Sequence, residues 1–363
     1  MQTVKLFKPF VSWWAIWNVV RVLRSGYIAE GPEVKAFEQE FKEKFKLSHD
    51  VIALNSGTSA LELAYELAGI GEGDEVVTPV FPFVGTNIPL IRRRAKIVFA
   101  DIDRDMNVSV DDVRDKITSQ TKALVFVHFA GNSRGLKEMR ALADEHKISL
   151  IEDAAQALGS DEWGIGDFVC VSLQAIKTLT TGDGGFLICK DDKLAEKARR
   201  LRWFGFDRPK RQKTGDSDVR EAGYKYHMND IAAAIGRGNL KVIDKIITHR
   251  KRLIAAYRGG GVEHAYIWIA YTFTHEREKL RAYLQERGIE TGIHHFRNDA
   301  YTLFGGRQRL SMMDELENAY IILPLHMGMS VGDVQHICNL IGQFNSMRPG
   351  HRNINAPTFS LTI

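Results

Sequence analysis

Residues 49–79 read HDVIALNSGTSALELAYELAGIGEGDEVVTP, and how this stretch folds decides the fold class. It opens on a short apolar run, HDVIAL, of the length of a buried strand. It closes on a second such run, Glu75–Thr78. Between them, Ser59-Ala60-Leu61-Glu62 has capping-box spacing, so a helix is expected to begin at the glycine–threonine turn. Working outward, the alternation continues. Glu33–Phe45 carries Val34, Phe37, Phe41 and Phe45 at helical spacing. Lys96–Ile102, Ala123–Phe129 and Ile148–Ile151 read as further buried strands separated by helical segments. Strand and helix alternating in this way imply an α/β fold, a mainly parallel sheet covered by helices.

The rest of the chain is read in the same way. Residues 182–190 look like a turn into a strand, and Asp192–Arg202 like a helix. Arg208–Glu221 is polar and is expected to be a mobile loop, and Asp230–Tyr257 one long helical stretch. A large domain over residues 1–254 and a smaller one over 255–345 are expected, with a polar tail at 346–363 that is disordered. Phe10–Leu23 (FVSWWAIWNVVRVL) is too short and too charged to span a membrane, and no export cleavage site follows it. It is expected to be an amphipathic helix whose Trp13, Trp14, Ile16, Trp17, Val20 and Leu23 pack on a core or on a partner subunit.

Bulk composition narrows the function. The chain has 363 residues, 26% charged and 44% hydrophobic, with a net charge of +4 and no Lys/Arg block. That is an ordinary balance for a globular protein. It gives no reason to expect nucleic acid, and it suits an anionic small substrate. Three scattered cysteines, Cys170, Cys189 and Cys338, make neither a disulfide framework nor a zinc site. They fit a reducing, cytoplasmic setting.

Three short stretches carry chemistry. In SGTSA (56–60), backbone N–H groups at a helix start and several hydroxyls form an anion site built from Ser56, Gly57, Thr58 and Ser59, although plain helix capping would use the same residues. There is no Walker lysine and no GxGxxG, so triphosphate and dinucleotide binding start weak. In IEDAAQALG, Asp153 stands at the C-terminal end of a buried strand, where open α/β sheets bind ligands. It would hold a protonated ring nitrogen or simply cap the residues that follow. In SLQAIKTLTTGDGG (172–185), Lys177 follows an apolar stretch and precedes glycines that let backbone pass close by. A desolvated lysine gives up its proton easily and acts as a nucleophile. A phosphate cradle, an acid for a pyridine nitrogen and an amine for an aldehyde are together what pyridoxal 5′-phosphate needs.

With these stretches joined by TPVFPFVGT, ADID, VHFAGN and GYKYHMNDIAAAIG in that order, the chain resembles the DegT/DnrJ/StrS sugar aminotransferases. The resemblance runs over nearly the whole length, about 25–330. It implies the type I fold of pyridoxal-phosphate enzymes, with a smaller α+β C-terminal domain. It implies that Lys177 binds the cofactor's aldehyde and that Asp153 partners its ring nitrogen. Gln156 would lie near its phenolic oxygen, and Phe83 would stack on its ring or serve as ordinary core. Gly57, Thr58, Ser59 and Ser172 would contact its phosphate. His294 and His295, in TGIHHFRND, match a substrate-side motif, with a structural role equally open. Where the family usually supplies an Asn from the second subunit to the phosphate, Lys225 stands here and would reach that phosphate in trans, while His227 replaces the family's Arg. Segments 160–168 and 258–273 look shorter than the family pattern.

The expected reaction is transamination from glutamate to a keto group of a nucleotide-linked deoxysugar, in a homodimer whose active site is shared. The rivals are a pyridoxal-phosphate sugar dehydratase, which the presence of Lys177 opposes, and a non-catalytic cofactor-binding protein.

Overall fold

In a computed structural model, residues 3–216 and 218–347 are described. The expected tail at 346–363 therefore lies almost wholly outside the described residues. Seven strands make the principal sheet: β1 (Val51–Leu54), β2 (Glu75–Pro79), β3 (Lys96–Ala100), β4 (Thr121–Val127), β5 (Ser149–Asp153), β6 (Phe168–Ser172) and β7 (Gly185–Cys189). Their spatial order is β1-β7-β6-β5-β4-β2-β3. The pairs from β3 through β6 are parallel, whereas β7 runs antiparallel to both β6 and β1. A second sheet of β8 (His264–Ala265), β9 (Ala270–Phe273) and β10 (Tyr320–Leu323) is antiparallel.

The strands of the principal sheet are almost wholly buried, as continuous apolar runs require when helices cover both faces. The covering helices include α1 (Trp13–Ser25), α2 (Pro32–Lys44), α3 (Gly57–Leu67), α4 (Ile88–Arg92), α5 (Val110–Lys116), α6 (Leu136–His146) and α7 (Asp192–Leu201). One face packs α3 and α7 through Leu61, Leu63, Tyr65, Ala198 and Leu201. The other packs α2 through Val34, Phe37 and Phe41 against Phe186 and Val171. Farther along the chain come α8 (Arg208–Thr214), α9 (Asp230–Leu240), α10 (Ile243–Gly259), α11 (Arg277–Gln285), α12 (Ser311–Leu316) and α13 (Val331–Ser346).

The structure departs from the sequence reading in four places. The helix α3 begins at Gly57, in the glycine–threonine turn as expected, but its cap is Ser56 and not Ser59: the Ser56 hydroxyl accepts the Ser59 N–H at 3.0 Å. The segment expected to be a mobile loop at 208–221 begins as the helix α8, capped by Asp207 on the Lys210 N–H and closed by Gly215 in the left-handed region. The stretch 230–257 is two helices. The break at Lys241–Val242 lets Leu240, Ile243 and Ile246 all reach the same core.

The fourth departure concerns α1, for which packing on this chain's own core was one of the two settings expected. Ala15 and Val22 are its buried residues, while Trp13, Trp17 and Trp14 are 76%, 68% and 54% exposed. The helix lies against α9 at very close range. A Cβ on Gly238 would sit 2.2 Å from the Ala15 nitrogen. Small residues therefore face inward and the tryptophans face out. Among the described residues, no helix is long and apolar enough to cross a membrane.

Candidate active site

The lysine loop is the long turn between β6 and β7. The two strands pair from Phe168↔Cys189 to Ser172↔Gly185. The turn is stitched across its base by Leu173 N–H to the Gly184 carbonyl and Thr181 N–H to the Leu173 carbonyl, at 2.8 and 2.9 Å. Hydroxyls of Thr180 and Thr181 add bonds to the same Leu173 oxygen. Thr, Gly and Asp are suited to such a turn because their side chains bond local backbone or permit its close approach. The result is a fixed loop carrying Lys177 at the edge of the sheet.

Beside it stands the N-terminus of α3. Gly185, first residue of β7, passes so close to the Ser56–Gly57 peptide that a Cβ there would lie 2.4 Å from the Ser56 oxygen. Only glycine fits that approach. Gly57 in turn lies against Ser172.

These elements enclose a pocket of about 340 Å³. Ser56, Gly57, Thr58 and Ser172 line one end, Phe83, Asp153 and Gln156 the middle, and Lys177, His294 and His295 the rest. The structure thus brings together all the predicted site residues but two. Ser59 turns away and donates its hydroxyl to Asn55 Oδ1 at 2.6 Å. Ser56, named among the anion-site residues, stands in the wall. Lys225 is exposed, with Nζ 5.2 Å from the centre of the Trp203 ring, and does not line its own chain's pocket.

Each central side chain has a defined setting. Asp153, at the C-terminal end of β5, is buried and accepts bonds from Thr86 Oγ1 at 2.7 Å and the Ala155 N–H at 3.1 Å. Behind it on the strand, Glu152 is wholly buried and bonded to His128 Nε2 and to the backbone N–H groups of Gly164, Ile165 and Gly166. Burial alone would raise the Glu152 carboxyl. The bonds from His128 and the backbone outweigh it and hold the group below its ordinary value.

Gln156 accepts the Ala130 N–H at 2.6 Å through Oε1, and its Nε2 therefore faces His295 Nε2 at 3.0 Å. An amide NH₂ can only donate, so His295 Nε2 is the acceptor and the ring is neutral, with its proton on Nδ1. That buried Nδ1 has no hydrogen-bond partner among the described residues. Burial lowers the His294 value to about 4, with the nearby Lys177 amine adding to the effect. The segment bearing both histidines is pinned to the strand-end loop after β2 by Asn298, which bonds Asn87 and the Pro82 carbonyl.

Lys177 keeps part of its stem open to the pocket while its amine end is enclosed. Burial pushes the amine down to about 8, against the opposing pull of the Asp153 charge. Among the described residues the amine has no hydrogen bond or ion pair; it lies 4.3 Å from the centre of the Trp268 ring. The sequence reading missed two residues here. Thr86, inside the TPVFPFVGT stretch, holds Asp153. Trp268, in the segment 258–273, covers Lys177.

The pocket joins a helix N-terminus, a buried carboxylate and a buried amine, and the sequence that builds it matches a family model over residues 15–342. The chain belongs to the DegT/DnrJ/EryC1/StrS aminotransferase family. It is 33% identical, over 94% of its length and 98% of the relative's, to the UDP-4-amino-4-deoxy-L-arabinose–oxoglutarate aminotransferase of Shewanella sediminis (strain HAW-EB3). Among solved structures it is similar to the sugar aminotransferase CalS13 from Micromonospora echinospora, with a TM-score of 0.87, 30% identity and coverage of 94% and 99% of the two chains. It is also similar to the aminotransferase TlmJ from Streptoalloteichus hindustanus, with a TM-score of 0.87, 28% identity and coverage of 95% and 100%. The family is pyridoxal-phosphate-dependent, and the pocket of this aminotransferase fits that cofactor. It offers, among the described residues, an amine without a hydrogen bond or ion pair, a buried carboxylate at a strand end, an amide N–H and the first turn of a helix, spaced around one cavity.

Proposed function

We propose that the protein transfers an amino group from glutamate to a keto carbon of a nucleotide-linked deoxysugar, using pyridoxal 5′-phosphate held in this pocket. When bound, the cofactor supplies an electron sink and carries the amino group between the two substrates. The residues present would divide the work as follows. The first N–H groups of α3, with Gly57, Thr58 and the Ser56 and Ser172 hydroxyls, would hold the phosphate at the positive end of the helix. Asp153, fixed by Thr86, would keep the ring nitrogen protonated. Phe83, 59% exposed at the pocket mouth, would cover the ring face. Gln156 would donate its remaining N–H to the ring oxygen.

Lys177 would bind the aldehyde and, once free, carry the proton at the substrate carbon. With its value at about 8, roughly a tenth of the amine is unprotonated at pH 7, enough for it to serve as a base. His294 and His295, held neutral, would offer uncharged hydrogen bonds to the sugar. The name of the Shewanella relative pairs a UDP-linked amino sugar with oxoglutarate, the keto acid that glutamate leaves behind, which supports both substrate classes.

The observation that carries this reading is the enclosed, unpaired Lys177 amine in one pocket with Asp153 and the start of α3. Lys177→Ala tests it. The variant is expected to lose cofactor that borohydride can fix to the chain, and to lose amino transfer from glutamate to a keto-sugar nucleotide. Transfer by the variant would overturn the assignment. A pure binder would fail a simpler measurement, since glutamate would leave its bound cofactor in the aldehyde form, with the absorption band unchanged.

The finer reading of assembly is a homodimer with a shared site. Lys225 points away from its own pocket, and the outward tryptophans of α1 leave an apolar face uncovered. The reading of two domains, 1–254 and 255–345, divides α10. The early residues of that helix pack with the principal sheet, and Leu253 and Tyr257 pack with the small one.

A further inference from the structure

We infer that Trp268 is a positioning residue for Lys177: the face of its ring holds the proton of an amine to which the pocket offers no hydrogen bond. The inference rests on the reading of Lys177 as the cofactor-binding amine. Trp268 is not part of the pocket wall. It is 1% exposed and lies behind the lysine, with the amine 4.3 Å from its ring centre. At that distance a desolvated ammonium is attracted to the negative face of an indole.

Trp268 also holds the lysine from the backbone side. Its indole N–H donates to the carbonyl of Ile176, the residue before Lys177, at 3.2 Å. One side chain therefore contacts both the root and the tip of the lysine. Its own placement is over-determined. Its backbone N–H bonds the Ala130 carbonyl at 2.9 Å, and its carbonyl accepts from the buried Arg250 guanidinium at 3.1 Å. Phe7 stacks on the indole at 5.6 Å, and His294 meets it edge-on at 4.9 Å. Such fixing gives the ring no freedom to swing away when the amine is released from the cofactor.

The other charged or titratable groups around the amine are few. Asp153 on β5 favours its protonation. His294 and His295 face it as neutral rings, and Asp183 lines the same pocket from the loop. Asp153 and Trp268 thus act in the same direction against burial, one through charge and the other through the ring quadrupole. Without them, burial would shift the amine further toward its neutral form, which can take a proton from the substrate carbon but has none to return.

The test titrates Lys177 directly in the full chain freed of cofactor. Limiting acetic anhydride labels the unprotonated amine, and mass spectrometry of the Lys177 peptide gives the labelling midpoint against pH. Trp268→Leu is expected to lower that midpoint by about one unit, the scale of a desolvated cation–π contact. Because Trp268→Leu removes core volume, a second measurement leaves the shape intact. Fluorotryptophans replace all six tryptophans. The midpoint is expected to fall stepwise as fluorines weaken the ring face. A midpoint equal to or above that of the wild type in the leucine variant overturns the inference, as does one that stays flat across the fluorinated series. Failure of the functional reading would show elsewhere, as amino transfer by a chain lacking Lys177.

Discussion

Lys177 costs the fold stability in proportion to what it offers the chemistry. Its ordinary value of 10.5, kept in the unfolded chain, falls to about 8 in the folded one. Below pH 8 both states are protonated and the folded state bears the whole cost of the buried charge. Between 8 and 10.5 the cost fades, and above 10.5 it is gone. Lys177→Met should therefore stabilise the cofactor-free protein at pH 7 by up to about 3 kcal/mol. The gain should shrink to nothing near pH 11, as read by urea unfolding across that range. Asp153→Asn keeps the size of the side chain but removes its charge. It should leave cofactor bound while slowing the glutamate half-reaction by about 100-fold, measured in single turnovers. Lys177, Asp153 and Thr58 were legible in the sequence because each sits in a local setting that advertises its chemistry. Thr86 and Trp268 were not. Their partners lie 67 and 92 residues away, and nothing in either neighbourhood marks an ordinary threonine or tryptophan as bound for the site.

Among the elements, β1 to β5 lie within two residues of their expected bounds, since a fully buried strand is a short apolar run with polar ends, whereas β6 and the strands of the small sheet were not read as strands. Helices read less well where partners decide. The periodicity of α1 shows an apolar stripe, and ordinary packing would turn the large residues inward. Here the neighbouring helix offers a groove of small residues, and only Ala15 and Val22 fit it. Gly238→Ala would place a Cβ into the backbone of α1. The variant should lose about 1–3 kcal/mol and shift tryptophan fluorescence as the helix lifts, checked by thermal unfolding monitored at the tryptophan emission. The break between α9 and α10 had no proline or glycine to announce it. It follows from where Leu240 and Ile243 must both point.

At the scale of the whole molecule, the first residues belong with the far part of the chain. Val4 pairs with Ile289, and Lys5 is bridged to Glu290 at 2.6 Å, so the N-terminus ties the small sheet to the rest. The sequence held no sign of this, because contacts across more than 280 residues leave no periodicity. The outward tryptophans of α1 leave an apolar face uncovered. In the homodimer reading, replacing Trp13 and Trp17 with serine should raise the dissociation constant by at least 10-fold while leaving the monomer folded. Sedimentation velocity across a dilution series reads this directly. An unchanged distribution would place the subunit interface elsewhere.

The near-contact of Gly185 with the Ser56–Gly57 peptide makes the site a gauge of fixed length. One jaw is the lysine loop and the other is the start of the helix that takes the phosphate, and backbone touches backbone between them. No side-chain rotation can widen that gap. A cofactor analogue whose phosphate arm is longer by a single methylene would seat one end or the other but not both. The protein should therefore discriminate among vitamin-derived aldehydes by length before any substrate arrives.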